Sequence, residues 1–292
     1  VPEIISFEIN GQLDETEILN DDMNGLSTYI DGIISLPLLV GILLFVLPEK
    51  LKVTKGIIAL LTAIVALVCA IQVYLPGSGT GKFDMLESVL FQNLNIAAIV
   101  PAIDKYFVLN LDNLASLIVL LVCCFAILII LYSLIYLNRD RNLRNYYPTI
   151  LLTLGAATGS VLSDNLILFL TFWGFLGLTL YKLIKGADEE SSAAAKKSLI
   201  IVGASDGIMI FGIVVIWKLT GTLNMSELSI YTTDAIRNVA FITLLIGSFT
   251  KAGAFPFHTW IPDYAKSAPA SSTAFLPASL DKLLGIYFLA RL

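Results

Sequence analysis

The sequence predicts an all-α, polytopic membrane protein: a bundle of about eight transmembrane helices with a broken seventh. Three observations carry that reading. Of 292 residues, 57% are hydrophobic and 14% are charged, with a mean hydropathy of +0.85. A soluble domain carries about 25% charged residues, so much of this surface must face lipid. Apolar runs of spanning length recur along the chain, and basic residues collect in alternate loops. The net charge of −5 argues against a nucleic-acid partner, which needs a basic face. Cys69, Cys123 and Cys124 lie inside apolar runs without metal or disulfide spacing. The chain opens with Val1, which fits a processed terminus or a fragment, and shows no cleavable signal pattern.

Residues 1–32 form the first unit, an acidic extramembrane leader. It holds Glu3, Glu8, Asp14, Glu15, Glu17, Asp21, Asp22 and Asp31 and no Lys or Arg. Residues 33–110 are read as two N-terminal spans and an external loop, and 111–292 as a core of spans three to eight. The apolar runs fall at Ile33–Leu47, Gly56–Tyr74, Ala115–Leu137, Tyr147–Leu162, Asn165–Leu183, Leu199–Leu219, Val239–Ala252 and Ser271–Leu292. The turn-rich "LPGSGTGKFD" between the second and third runs reads as an extramembrane loop. It is no phosphate-binding loop: Pro76 replaces the first required glycine, and Phe83 stands where a Ser or Thr must hold the metal.

Positive charge in short loops marks the cytoplasmic side. Lys50, Lys52 and Lys55 follow span one, and Arg139, Arg141 and Arg144 follow span three. Lys182, Lys185, Lys196 and Lys197 surround the loop after span five. These loops are expected inside, which places the N-terminus outside a cell membrane.

Ionisable residues within a span cost roughly 2.5–3.5 kcal/mol each on translocon scales and usually line a pathway or pair with each other. Asp206, Lys251, Asp281 and Lys282 meet that description. Single charges of this kind also serve as static packing pairs, but four on three consecutive spans favour an ion pathway. Span seven is interrupted: Lys251 is followed by Ala252, Gly253 and Ala254, and then by Pro256 and Pro262, whose rings should break the helix close to Lys251. A proline removes an amide donor and clashes with the preceding turn, and in transporters broken helices commonly form the ion site. Pro277 should likewise kink span eight four residues before Asp281. His258, the only histidine, reads first as a hydrogen-bonded structural residue and second as a proton relay; Lys182 is a further secondary candidate. No triad or metal cluster is apparent.

At this point the residues carry a resemblance. "SDNLILFLTFWGFLGLTLYKLIKG" (Ser163–Gly186), "LTGTLNMSEL" (Leu219–Leu228) and "SFTKAGAFPFHTWIPDYAKSAPASSTAF" (Ser248–Phe275) resemble the fifth helix, the loop after the sixth, and the broken seventh helix of a known family. That family comprises the antiporter-like membrane subunits of respiratory complex I, Mrp sodium/proton antiporters and membrane-bound energy-converting hydrogenases. The resemblance implies that Lys251 is the central titratable lysine and Asp206 an acid found in some members. Gly174 departs from it, because the family places a glutamate directly after the tryptophan that corresponds to Trp173. Pro277 departs too, where many members have a histidine, and Lys282 lies close to a lysine seen in some.

Full members carry two inverted five-helix repeats, of which this sequence shows one. The resemblance therefore implies a multisubunit complex in which another chain supplies the second repeat, with H+ or Na+ as the ion and lipid around it. The chain is not expected to be an enzyme alone, and it offers no site for a flavin, iron–sulfur or nickel cofactor. Two other expectations compete: a non-pumping scaffold subunit, and an antiporter-like partner in an inorganic-carbon uptake complex.

Overall fold

The computed structural model describes residues 25–75, 81–85, 104–136, 145–184, 188–228 and 234–291. The leader up to residue 24, the basic loop with Arg139, Arg141 and Arg144, and Lys185 lie outside the described residues. The helices are α1 Gly25–Val46, α2 Lys52–Tyr74, α3 Asn113–Tyr136, α4 Tyr146–Leu162, α5 Leu166–Ile184, α6 Glu189–Thr220, α7 Ala235–Ala252, α8 Trp260–Ser267 and α9 Ala270–Arg291. Seven of these are long and apolar enough to cross a membrane. The two exceptions are α8, at 8 residues, and α4, at 17 residues, every one of which is buried. α4 fills the spanning position expected for Tyr147–Leu162 as the enclosed centre of the bundle, packed against α1, α2, α3, α5 and α9.

Small residues let that centre close. A Cβ on Gly155 would collide with Leu38 of α1, and one on Gly56 of α2 with Leu134 and Tyr147. Thr149, Thr153, Thr158 and Ser160 turn their hydroxyls back onto carbonyls one turn earlier, which satisfies polar groups that lipid or an apolar core cannot. The outer faces are apolar: Val46, Ile135, Ile200 and Phe211 are all exposed, as a lipid-facing surface requires.

Two features differ from the sequence reading. α1 begins at Gly25, eight residues before the expected Ile33, so Asp31 belongs to a helix. Its carboxylate is buried and accepts a hydrogen bond from Ser35 at 3.1 Å. The expected loop also contains an antiparallel hairpin, β1 Gly81–Asp84 paired with β2 Val108–Leu111, with Lys82 opposite Asn110 and Phe83 opposite Leu109. Isolated bridges extend the pairing from Leu109 to Ser163 and from Asn165 to Asn224.

The hairpin defines one end of the bundle. Asp164, between α4 and α5, accepts from Ser226 N at 2.9 Å and Ser226 Oγ at 2.7 Å, and Lys82 lies 3.3 Å from it. Arg291 at the end of α9 pairs with Asp112 at the same end. At the opposite end, Lys182 lies 4.6 Å from the Phe45 ring centroid and Lys197 pairs with Asp263 at 2.5 Å. Lys55 is buried there and bonds Glu49 at 2.8 Å. The described lysines of the expected basic loops thus share one end, and the hairpin caps the other.

Candidate functional site

The site is built where α7 stops. Lys251 and Ala252 complete the helix, and Gly253 follows in the left-handed region at φ 67°. Gly253 N donates to Thr250 O at 3.1 Å and Ala254 N to Phe249 O at 2.8 Å. This is a Schellman motif, in which a residue without a Cβ reverses the chain and satisfies the last carbonyls. Trp260, the first residue of α8, adds its indole N–H to Thr250 O at 3.1 Å. The break predicted from the prolines is therefore made by Gly253 and fastened by Trp260, with Pro256 in the turn between. Lys251 sits in the last turn, where the partial negative charge of the helix C-terminus favours a cation.

Lys251 is 1% exposed. Its ammonium donates to Trp173 O of α5 at 3.1 Å and lies 4.9 Å from the centroid of the Trp173 ring. Trp173, itself enclosed, donates its indole N–H to Asp206 Oδ1 of α6 at 2.9 Å. One residue therefore joins the lysine and the acid: the carbonyl and ring face hold the cation, and the indole edge holds the carboxylate. Phe169 and Phe288 pack on that indole at 4.9 and 5.8 Å.

Asp281 lies on α9, which packs against α7. The two helices approach closely because Gly285 has no Cβ; one added there would press on Ala252 and on Ser248 O. Asp281 is 1% exposed, and among the described residues neither of its carboxylate oxygens has a hydrogen-bond partner. Among the described residues, no ion pair within 4.0 Å involves Lys251, Asp206 or Asp281. Lys251 and Asp281 are buried and Asp206 is half-buried, and among the described residues none of the three is held in a fixed ion pair. Their environment differs from that of an ion-paired structural lysine such as Lys55.

Pro277 does distort α9. Leu276–Leu280 form a π turn, Asp281 N reaches back to Leu276 O, and Ser279 Oγ donates to Ala274 O at 2.7 Å and Phe275 O at 2.5 Å. A π turn of this kind widens the helix and is frequent at functional sites. Lys282, next along the chain, is exposed on the outer face and is not brought to Lys251. His258 is exposed, its ring tilted against Phe255 with centroids 5.7 Å apart, and Lys182 is exposed at the basic end. Gly174 is exposed, with open space where a Cβ would stand. The sequence reading missed the bridging role of Trp173 and the burial of Asp31, because neither is announced by spacing.

Outside the spans, the Lys197 hydrogen bond and charge hold the Asp263 carboxyl below its usual value. At the hairpin end, hydrogen bonds from Asn224 and Thr222 do the same for Glu227.

A helical bundle that interrupts one span beside an enclosed lysine, with carboxyls on two neighbouring spans, defines an antiporter-like membrane chain. Residues 163–292 match the transmembrane domain of the NADH:quinone oxidoreductase/Mrp antiporter family, and that segment carries the break, Lys251, Asp206 and Asp281. The A subunit of a Na(+)/H(+) antiporter from Alkalihalophilus pseudofirmus is 36% identical over 200 residues, covering 66% of this chain and 25% of that relative. The fold is similar to a chain of the archaeal membrane-bound sulfane sulfur reductase, with TM-score 0.74 and 21% identity over 90% of this chain and 52% of that one. It is also similar to a chain of respiratory complex I from Thermus thermophilus, with TM-score 0.69 and 20% identity over 90% and 53%. The chain thus spans a quarter of the curated relative and about half of these structural neighbours. It is homologous to the Mrp antiporter A subunits and has the fold of the antiporter-like subunits of complex I.

Proposed function

We propose that this chain is a cation-translocating membrane subunit of a complex I-like or Mrp-like assembly and that Lys251 is its ion-coupling residue. The observation that carries the reading is the state of Lys251: enclosed at a capped helix break, hydrogen-bonded to a backbone carbonyl, and not fixed in an ion pair. Held by a carbonyl and a ring face rather than by a carboxylate, the ammonium is free to change partners as α5, α6 or α9 moves. The scaffold reading rests on Gly174. Against it stands Asp281, whose unpartnered burial a purely structural chain has no reason to bear.

The reading includes companion membrane subunits, one of which supplies the second repeat, and H+ or Na+ as the ion. It places the basic end at the cytoplasmic face of a cell membrane and the hairpin end outside. In sealed vesicles of the assembled complex, Lys251→Ala should remove coupled transport while leaving assembly intact. Transport at the native rate would make Lys251 structural. An impermeant thiol reagent should reach a cysteine at Lys82 from outside but not one at Lys197, and the reverse result would invert the orientation.

A further inference from the structure

At the hairpin end, α5 and α6 leave a groove between them that lies apart from the site around Lys251. Its volume is about 530 Å³, within the roughly 300–1,000 Å³ of pockets that take small molecules. The wall on α6 is made by Ile210, Ile213, Val214 and Trp217, which follow the i, i+3, i+4, i+7 spacing of one helix face. At 1.5 Å per residue that wall is about 10 Å long. Ile167 and Leu170 of α5 form the opposite wall. Ile213 is buried, whereas Ile167, Ile210, Val214 and Trp217 are between 42% and 54% exposed, so the groove opens sideways toward lipid.

The rim has the opposite character. Asn165, 3% exposed, donates to Asn224 Oδ1 at 3.0 Å and to Lys105 O at 3.5 Å, which fixes the 3₁₀ turn Asp104–Tyr106 beside the loop after α6. The Lys105 side chain is exposed, lies 4.8 Å from the Tyr106 ring centroid and, among the described residues, forms no ion pair. Among the described residues that line the groove, it is the one charged side chain. Glu227, the acid that Thr222 and Asn224 of the rim hold, has its own cation in Lys82 at 3.5 Å. The N-terminus of α5 and the C-terminus of α6 meet here, and their opposite partial charges offset each other. Tyr106, and Trp217 one turn before the end of α6, are the residue types that collect at a membrane–water interface.

We infer that this groove binds one anionic phospholipid, with an acyl chain along α6 from Trp217 to Ile210 and the headgroup phosphate at Lys105. The apolar walls fit the chain, and the charge at the mouth selects the head. A zwitterionic lipid carries its own cation and gains less from a lysine than an anionic one does. By filling the gap between α5 and α6, the lipid braces the two helices that carry Trp173 and Asp206. The inference does not depend on ion coupling at Lys251.

Trp217 supplies the reporter. The other two tryptophans, Trp173 and Trp260, are fully enclosed, so brominated acyl chains, which quench an indole at contact range, should act on Trp217. The full chain is placed in phosphatidylcholine nanodiscs with a minor fraction of dibrominated phosphatidylglycerol or of dibrominated phosphatidylcholine, and the Trp217 signal is taken as the difference from Trp217→Phe. Phosphatidylglycerol should quench at about fivefold lower mole fraction, the effect of one lysine beside an anionic headgroup. Lys105→Gln should remove that preference, while Lys218→Gln, exposed at the same end but outside the groove, should keep it. Equal quenching by the two lipids, a preference that survives Lys105→Gln, or an equal loss in Lys218→Gln would overturn the site. Absence of quenching by either lipid would mean that protein fills the groove, and the lipid site would be wrong even with Lys251 essential to transport.

Discussion

Lys251 meets Trp173 twice, through a hydrogen bond of 3.1 Å to its backbone carbonyl and through its ring face at 4.9 Å. The two contacts explain how a lysine remains enclosed without a carboxylate in direct contact. A carbonyl dipole and an aromatic quadrupole stabilise a cation without supplying the full negative charge that would hold it permanently. The same side chain passes its indole N–H to Asp206, so a movement of α5 is felt by both charges.

Trp173→Phe isolates that coupling. Phenylalanine keeps the carbonyl and a ring face but removes the donor to Asp206, a hydrogen bond to a charged group worth about 1.5–3 kcal/mol. We expect assembled but less heat-stable protein, with transport reduced by less than in Lys251→Ala. A variant as inactive as Lys251→Ala would mean that the indole N–H is indispensable to transport.

Gly253→Ala tests the break. The left-handed region costs an L-residue roughly 1–2 kcal/mol, and the new Cβ would also strike Ile261 Cδ1. The end of α7 should fray, seen as faster amide exchange at residues 249–254 and lower transport although Lys251 is intact. Unchanged exchange there would show that Trp260 alone secures the helix end.

The Lys197–Asp263 pair ties α8 to α6 at the basic end. Because the Asp263 carboxyl is held below its usual value by Lys197, the pair contributes stability above the unfolded carboxylate value and loses it as pH falls through the lower folded value. Acidification below about pH 4, the ordinary range of an Asp, should therefore loosen α8, and Asp263→Asn should loosen it at neutral pH. Proteolysis near residues 253–259 reads both; equal cleavage of wild type and variant at neutral pH would remove the pair from any role in holding α8.

The apolar runs made the helices legible, because membrane spans are set by length and composition. The enclosed helix α4 shows the limit of that signal: its run looks like any other span, and only packing reveals that lipid never touches it. The hairpin escaped notice because strands as short as GKFD and VLNL leave too few residues for an alternating pattern. At the site, Lys251, Asp206 and Asp281 stood out as charges in apolar surroundings, and the same rule also selected Lys282, which faces outward. Helical phase separates Asp281 from its neighbour by about 100°, but only the packing of Gly285 on Ala252 decides which of the two faces inward. Trp173 was invisible as a site residue because its role runs partly through a backbone carbonyl, which no sequence pattern encodes.

The two acids are not equivalent. Asp206 is held by an indole N–H, whereas among the described residues neither carboxylate oxygen of Asp281 has a hydrogen-bond partner. On the proposed reading the carboxyl without a fixed partner is the freer of the two to take part in ion transfer, so Asp281→Asn should impair transport at least as severely as Asp206→Asn. The hydrogen bond to Trp173 O also places the Lys251 ammonium beside the peptide that Trp173 shares with Gly174, where a Cβ meets only open space. A glutamate at that position has room to turn its carboxylate toward the ammonium. In the Asp281→Asn background, Gly174→Glu should restore part of the lost rate, measured as initial proton uptake per assembled complex. Silence of Asp281→Asn beside a dead Lys251→Ala would leave Asp206 as the only acid setting the lysine's charge. Failure of Gly174→Glu to restore any rate would show that the acid must lie on the α9 side of Lys251.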